Sequence, residues 1–329
     1  MISIVIPTLN RPQFVIRQLR YLAQAGFGGR VLIGDGSEAP VAAPLRAEVA
    51  GLGGRLAVAY DNWPGLSDIA TLKRLAQAVE TPFTAYAGDD DFLVPSAMAR
   101  CVAFLEKSPA YVAASGRGYA FEIGGEGLYG KMTLRGRYEL PLLEQGRAAE
   151  RVRAHLENYS VGLFCVHRTQ AWQTMWRDVD ESGDRSFMGE LVPCCVAPAL
   201  GKIGRVDCFL VFRQSHPQRY LLPRAQAWAA GPKWNASYER FVEIVAAEVS
   251  ARDGIAPQQA RDGVEGAFKV YMRRYAALDR HGPFRAALTA PLRALRQRAL
   301  ARSLRAEIGV SASEPDVALL FSTLESSPG

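Results

Sequence analysis

The stretch TPFTAYAGDDDFLVPSAM, residues 81–98, combines the features that decide the fold. Its apolar first part, residues 81–88, is typical of a buried strand, and SAM opens an amphipathic helix. Between them lie three consecutive carboxylates, Asp89, Asp90 and Asp91, which repel one another unless water or a cation stabilises them. A divalent cation such as Mg²⁺ or Mn²⁺ would do so. The simpler alternatives are a solvated acidic turn, or Asp91 capping the following helix.

Strands and helices alternate on both sides of this stretch. The apolar runs that predict strands occupy residues 2–7, 30–37, 55–60, 81–88, 110–116 and 160–168, and the short alternating, glycine-rich pieces of 117–145 predict a hairpin or ribbon. The periodic runs that predict helices occupy residues 12–26, 66–80, 96–108 and 144–159, and Ser67 or Asp68 is expected near the start of the second. This alternation predicts an α/β fold with a doubly wound, parallel sheet. Ligands of such sheets bind beyond the carboxyl ends of the strands, where Thr8, Asp35 and the three aspartates are expected.

Composition excludes several other classes of protein. The 329 residues are 49% apolar and 22% charged, as in ordinary globular proteins. Five cysteines form no C-x-x-C pair, so we expect reduced thiols in a cytoplasmic protein rather than disulfides or a zinc site. No apolar run approaches the ~18 residues that span a bilayer, and the opening MISIVIPTLN lacks the features of a signal peptide.

The positive charge is concentrated near the end of the sequence. The net charge is +6, and residues 273–305 contain nine arginines against one acid. Within residues 285–308, leucines recur every three or four positions with arginines between them, which indicates a basic amphipathic helix. Such a helix could contact an anionic membrane surface, or it could pack on its own domain with the arginines in water. A nucleic-acid-binding protein is a further alternative, although no recognisable nucleic-acid module accompanies the basic residues.

Three further groups of residues suggest chemistry. Asp35 in LIGDGS could accept a hydrogen bond from a base or a ribose, or merely end a strand in an Asp-Gly turn. Glu190 in MGELVPCCV could be a general base, or an acid that complements a helix dipole. FRQSHPQRY carries Arg213, His216 and Arg219, which could grip a diphosphate or line a solvated basic loop.

In this order, ISIVIPTLNRP, VLIGDGS, TPFTAYAGDDDFLVPSAM, an acid before a helix, and FRQSH resemble a family 2 glycosyltransferase of the GT-A fold. The resemblance covers residues 1 to about 220. It implies a Rossmann-like, mostly parallel sheet flanked by helices, with a helical C-terminal extension. It divides the chain into a nucleotide-sugar-binding half (1–116), an acceptor-binding and catalytic half (117–225) and a helical region (226–329).

The resemblance also implies an activity and a set of site residues. The family transfers sugar from a nucleotide-sugar, usually a UDP-sugar, and we expect an inverting transfer to a hydroxyl of a glycan or lipid-linked acceptor in surface polysaccharide synthesis. Glu190 matches the catalytic base. The residues expected to bind the donor are Pro7, Thr8, Asn10, Arg11, Asp35, Lys73, Asp89, Arg213 and Arg219. Those expected to bind Mn²⁺ or Mg²⁺ are Asp90, Asp91 and His216.

The chain departs from the family pattern at three positions. Gly34 stands where the first acid of Asp-Asp-Gly-Ser is usual, and Gly88 stands where D-x-D-D usually begins with an acid. The family's Glu-Asp at the base is here Glu190-Leu191, and Asp184 is a rival base if the helix starts earlier. A nucleotidyltransferase would need a glycine-rich loop after the first strand, which PTLNRPQF lacks. A non-catalytic sugar-binding relative is disfavoured by Asp90, Glu190 and His216.

Overall fold

The computed structural model describes residues 1–124, 127–217, 222–278, 290–310 and 315–326. Nine strands run through these residues. In chain order they are β1 (Ile2–Thr8), β2 (Arg30–Asp35), β3 (Ala57–Asn62), β4 (Phe83–Tyr86), β5 (Phe92–Leu93), β6 (Tyr111–Ile123), β7 (Met132–Tyr138), β8 (Val166–Arg168) and β9 (Lys202–Gln214).

Twelve α-helices occur in the same described residues. They are α1 (Pro12–Gln24), α2 (Ala39–Gly51), α3 (Asp68–Ala78), α4 (Pro95–Lys107), α5 (Ala148–Glu157), α6 (Thr169–Arg177), α7 (Val192–Leu200), α8 (Ala225–Ala229), α9 (Trp234–Asp253), α10 (Pro257–Leu278), α11 (Ala290–Val310) and α12 (Pro315–Glu325). A 3-10 turn, Gly162–Phe164, precedes β8, and a π-helical turn, Phe187–Leu191, precedes α7.

All nine strands belong to one sheet. Its order is β3-β2-β1-β4-β8-β6-β9-β5, and β7 pairs with the second half of β6. Strands β1 to β4 are parallel to one another, and β6 is parallel to β9. Strands β5, β7 and β8 are antiparallel to the strands with which they pair. The predicted α/β fold with a mostly parallel sheet is confirmed. Thr8 and Asp35 are register partners, so the carboxyl ends of β1 and β2 lie at one edge of the sheet.

Helices cover both faces of the sheet because side chains of a buried strand alternate between them. In β1, Ile4 and Ile6 enter the core under α1, α2 and α4, while Val5 enters the core under α3, α6 and α7. The predicted cap of α3 is present, since the Ser67 hydroxyl accepts from the Ala70 amide. The sequence did not predict α2, which contains Pro44, or α6, whose Trp172 is fully buried.

The second half of the chain extends this sheet. The strand predicted over 110–116 continues to Ile123 and pairs with β7, as expected of the hairpin-rich region after residue 116. The strand predicted to begin near residue 160 is reduced to β8 by the 3-10 turn before it. Because β6 crosses the proposed boundary at residue 116, both halves share one sheet. The division into functional segments stays a prediction.

Helices α11 and α12 close over α1, α4 and β7. Glu307 of α11 accepts hydrogen bonds from Tyr119 and Arg137, and Leu304 and Ile308 are buried beside them. In α12, Asp316 accepts from the Ser96 amide at the start of α4. Leu320 and Leu324 of α12 are fully buried.

The proposed membrane-binding segment 285–308 overlaps α11. Its first part, through residue 289, lies outside the described residues, and Leu304 and Ile308 pack inside the protein. These two side chains are therefore not available to a lipid surface in this structure. None of the helices in the described ranges combines the length and apolar character needed to span a bilayer.

Gly34 in β2 stands where the family resemblance leads one to expect an acid, and a side chain does not fit there. A Cβ there would lie 2.5 Å from Cγ2 of Thr71 and 2.9 Å from Cζ3 of Trp63. We expect Gly34→Ala to lower the free energy of unfolding by about 1–3 kcal/mol through overpacking, as measured by urea denaturation. The matched control is Gly136→Ala in β7, where no heavy atom lies within 4 Å of the added carbon. Equal stability of the two variants would contradict this packing argument.

Candidate active site

A cleft of about 1460 Å³ opens at the carboxyl ends of β1 and β4. Its wall includes Thr8 and Arg11 after β1, and the three aspartates after β4. Residues of α3, α5, the π-helical turn and α10 complete it. The cleft thus lies where ligands bind in open α/β sheets.

The three aspartates are buried. Asp89 is 2% exposed, Asp90 is 7% exposed and Asp91 is 1% exposed. A solvated acidic turn is therefore excluded. Helix α4 begins after Val94 with no side-chain cap, so capping by Asp91 is excluded as well. Buried carboxylates need partners, and these differ for each aspartate.

Asp91 is turned into the protein. Its Oδ2 accepts from Nε of Arg213 at 3.1 Å, and its Oδ1 accepts from the Gln214 backbone N–H at 3.1 Å. The Gln18 amide also donates to the backbone carbonyl of Asp91, which ties the loop to α1. Burial raises the pKa of Asp91 to about 6, despite the opposing charge of Arg213. These contacts indicate a structural anchor for the loop.

Asp89 and Asp90 share the guanidinium of Arg11. Nε of Arg11 donates to Oδ2 of Asp89 at 3.0 Å, and Oδ1 of Asp89 lies 2.5 Å from a terminal nitrogen. The Thr8 hydroxyl donates to the same carboxylate at 2.9 Å. Burial raises the pKa of Asp89 to about 7, although the Arg11 charge lowers it. The carboxyl end of β1 therefore supplies the partners of the first aspartate.

His216 completes this group. Its Nε2 lies 2.6 Å from Oδ2 of Asp90, and its ring stacks on Phe14 with the centroids 5.1 Å apart. Burial would raise the pKa of Asp90, but the hydrogen bond to His216 and the charge of Arg11 outweigh it, so the pKa is lowered. The structure thus brings together Asp90 and His216, two of the predicted metal ligands, which lie 126 residues apart in the sequence.

One oxygen from Asp90 and one nitrogen from His216 suit a divalent cation that takes its remaining ligands from substrate phosphates. The predicted third ligand, Asp91, faces Arg213 instead. Within the described part of the chain, no three His, Cys, Asp or Glu side chains converge as they would around an ion. The residues therefore fit an ion held by two protein ligands, and metal binding stays a prediction.

Several predicted donor-binding residues line the cleft, namely Pro7, Thr8, Arg11, Asp89 and Arg213. The Arg213 guanidinium also donates to the Tyr138 hydroxyl at 2.9 Å and packs over the Phe164 ring. Burial alone would lower its pKa, but Asp91 raises it above the ordinary value. Arg213 is thus a permanently charged group at the cleft wall.

Other predicted residues are placed differently. The carboxylate of Asp35 is 1% exposed and accepts from the Ser37 backbone N–H and the Tyr60 hydroxyl, so it supports the turn rather than the cleft surface. Lys73 donates to the Val179 carbonyl at 2.9 Å, away from the cleft, because α3 points it at the loop after α6. Asn10 bonds through its backbone N–H to Ser37. Arg219 lies outside the described residues.

Glu190 lies in the π-helical turn Phe187–Leu191 and lines the cleft. The Tyr159 hydroxyl donates to its Oε1 at 3.0 Å. Burial raises the pKa of Glu190, while the bond from Tyr159 opposes this shift. A carboxylate with a raised pKa beside open space is suited to accept a proton. π-Helical turns of this kind are frequent at functional sites.

Asp184, the rival base, has a structural role. Its Oδ1 accepts from the Trp228 indole N–H at 2.9 Å and from the Ser186 backbone N–H at 3.0 Å. These bonds fix the start of the turn that carries Glu190. The geometry therefore favours Glu190 over Asp184 as the base.

Comparison with known proteins rests on the fold, because no family model and no curated protein matches this chain. S. aureus TarS 1-349 in complex with UDP-GlcNAc matches with a TM-score of 0.54 and 15% identity, over 83% of this chain and 72% of that one. TarS 1-349 in complex with UDP gives 0.53 and 12%, over 82% and 70%. S. aureus TarS gives 0.52 and 12%, over 82% of this chain but 42% of that chain.

The fold is that of a GT-A glycosyltransferase. The fold implied by the sequence resemblance is thereby confirmed. The match covers less than half, 42%, of the length of the TarS chain, and at these identities the likeness concerns the fold alone. The site has to be argued from this chain's own residues.

Gly88 illustrates one departure within this GT-A fold. A Cβ at Gly88 would lie 2.9 Å from Oδ2 of Asp91 and 3.0 Å from Oδ1 of Asp90. Both distances are shorter than ordinary contacts, so a side chain would displace these carboxylates. The absence of a side chain at Gly88 lets Asp90 keep its contact with His216 and Asp91 its bond from Arg213.

The sequence interpretation missed part of the GT-A cleft. Tyr159, which bonds Glu190, ends a predicted helix but carries no motif of its own. Tyr271 and Tyr275 of α10 stack with parallel rings 5.8 Å apart and line the cleft, and Arg274 lies beside them. Helix α10 lies beyond residue 220, where the resemblance ends. The prediction of a helical region there does not say which face of α10 meets the cleft.

Proposed function

We propose that this chain is an inverting glycosyltransferase that moves a sugar from a nucleotide-sugar, with a UDP-sugar favoured, to a hydroxyl of a glycan or lipid-linked acceptor. The observation that carries the proposal is that one cleft is lined both by Glu190 and by Asp89 and Asp90, the second of which contacts His216. The first is placed to accept a proton, and the second lies at the carboxyl ends of the strands where nucleotides bind. The complexes of TarS with UDP-GlcNAc and UDP support the choice of donor. A role in surface polysaccharide synthesis is part of the same proposal.

The acceptor hydroxyl would lie beside Glu190. Its proton passes to the Glu190 carboxylate as its oxygen attacks the anomeric carbon from the face opposite the leaving diphosphate, which inverts the configuration. The Tyr159 hydroxyl holds Oε1 of the base in place. Tyr271, Tyr275 and Arg274, on the α10 wall of the cleft, are placed to contact the acceptor.

The leaving diphosphate gathers negative charge as the bond to the sugar breaks. Arg213 is charged, lines the cleft and is held by Asp91 and Tyr138, so it can stabilise that charge without reorganising. A divalent cation held by Asp90 and His216 would supply further neutralisation when bound. These residues position the diphosphate, while Glu190 carries out the proton transfer.

A thermal-shift screen of nucleotide-sugars, with and without Mn²⁺, tests the donor. A ligand at 100-fold its Kd stabilises the native state by about 2.7 kcal/mol, which raises the Tm by several degrees. We expect a UDP-sugar to give the largest shift, and Asp90→Asn to reduce it. Asp61→Asn in β3, an exposed aspartate, is the matched control and should respond like the wild type. If no nucleotide-sugar shifts the wild-type Tm, the proposed function is wrong.

A further inference from the structure

The backbone before Arg11 has an unusual conformation. Asn10 has φ 59°, in the left-handed region, and it is the one non-glycine residue with a positive φ in the part of the chain that the structure describes. Its backbone N–H donates to the Ser37 hydroxyl at 2.7 Å, which holds the turn from the side of β2. This conformation is less favourable for residues with a Cβ, so the surrounding contacts must maintain it. The turn directs the next side chain, Arg11, toward the loop after β4.

The Arg11 guanidinium uses all three of its nitrogens there. Nε and one terminal nitrogen meet the two oxygens of Asp89, at 3.0 Å and 2.5 Å. The other terminal nitrogen lies 3.3 Å from Oδ2 of Asp90 and 3.4 Å from Nε2 of His216. The side chain is 26% exposed and also packs over Phe14. The Arg11 guanidinium therefore contacts Asp90 and His216, the two residues that would hold a divalent metal ion.

We infer that Arg11 is the resident counter-cation of Asp89 and Asp90, and that a divalent metal ion held by Asp90 and His216 must compete with it. The guanidinium already contacts the Asp90 oxygen and the His216 nitrogen that the ion would need. An ion between these two atoms would take the position of that terminal nitrogen and would repel its charge, so metal binding requires the nitrogen to leave. Because the guanidinium is rigid and planar, its contacts with Asp89 are lost as well. In the absence of metal, the positive charge of Arg11 compensates the negative charges of the two buried carboxylates, Asp89 and Asp90.

The displaced arginine has a second use, which rests on the proposed function. Arginine binds phosphate groups through paired hydrogen bonds, and Arg11 lines the cleft in which the diphosphate would lie. A donor that arrives with a metal ion would thus offer Arg11 new acceptors as it leaves Asp89. Metal and nucleotide-sugar would then bind more tightly together than either alone.

Calorimetric titration with MnCl₂ alone, without nucleotide or acceptor, tests the competition. We expect Arg11→Gln to bind Mn²⁺ roughly tenfold or more tightly than the wild type, within the range usual for coupled sites. Arg30→Gln, which removes an exposed arginine paired with Glu80, is the control and should match the wild type. Unchanged or weaker Mn²⁺ binding by Arg11→Gln would overturn the inference.

Two further measurements address folding and charge. If the inference holds, Mn²⁺ raises the Tm of Arg11→Gln more than that of the wild type, because it replaces the lost cation. Arg11→Lys keeps the charge and should bind Mn²⁺ as weakly as the wild type, so tight binding by this variant would contradict a charge mechanism.

If Arg11→Gln does not fold, the wild type decides, since a Kd for Mn²⁺ tighter than roughly 10 µM would exclude strong competition. None of these readouts depends on sugar transfer, so they can fail independently of the proposed function.

Discussion

Replacing Glu190 with Gln is expected to lower turnover by about 10²–10⁴-fold, the usual contribution of a general base. Gln has nearly the same shape and can still accept the bond from Tyr159, but it cannot take a proton. Donor affinity should remain, since in the proposed mechanism Glu190 faces the acceptor hydroxyl rather than the nucleotide. The measurement is kcat with a donor found by thermal shift, combined with calorimetric donor binding.

Glu139→Gln is the matched control, because Glu139 is an exposed carboxylate on the same cleft with an ion pair to Arg205 at 3.8 Å. It should retain kcat. The pH profile gives a second readout. Burial raises the pKa of Glu190, so wild-type activity should rise with pH through a value above the ordinary Glu range, and the variant should lack that rise. A variant that turns over at the wild-type rate would remove Glu190 from the mechanism.

Replacing Asp91 with Ala is expected to lower the free energy of unfolding by about 3 kcal/mol, the lower end of the range for a broken buried ion pair. The change leaves Arg213 and the Gln214 backbone N–H without their acceptor. The lower end applies because the Arg213 side chain keeps 28% of its surface exposed and also bonds Tyr138. Urea denaturation measures the loss.

Asp207→Ala is the control for this variant. Asp207 also pairs with an arginine, Arg117, but its side chain is 80% exposed, so the loss should stay below about 1 kcal/mol. Similar losses for the two variants would show that Asp91 does not anchor the loop. It would then be open again as a metal ligand, as the sequence predicted.

The alternation of strands and helices in the first 116 residues, the mostly parallel sheet and the position of the cleft followed from the sequence, because parallel strands joined by helices bring their carboxyl ends to one edge. The sequence did not predict helix α2, because prolines at positions 40 and 44 interrupt the apolar periodicity that indicates a helix. Strand β8 was predicted too long, because an apolar run does not reveal a 3-10 turn.

Individual roles at the site were harder to predict. Asp89, Asp90 and Asp91 are identical in type and adjacent, yet their sets of partners differ. Asp89 bonds Thr8 of β1, Asp90 contacts His216 beyond β9, and Asp91 bonds the backbone of β9. A motif gives the position of a carboxylate but not the direction of its side chain. Lys73 shows the same limit, since one step around α3 decides whether it meets the cleft or the Val179 carbonyl.

The fit of Gly34 and Gly88 could not be predicted either. Both stand where the family resemblance leads one to expect acids, and the sequence alone suggests a loss of ligands. The structure shows that a Cβ at either position would collide with Thr71 or Asp91. Such packing depends on contacts between segments distant along the chain, which no local pattern records.

The docking of α12 on α1 and α4 has a consequence for how the chain is made. Val317, Leu320 and Leu324 enter the same core as Val15 and Leu19, which lie about 300 residues earlier. During synthesis, the core under α1 would stay partly open until residue 324 had left the ribosome, and exposed apolar surface of this kind favours aggregation. Contacts of such high sequence separation also form late in folding. A chaperone that covers this face of the nascent sheet would therefore raise the yield of folded protein.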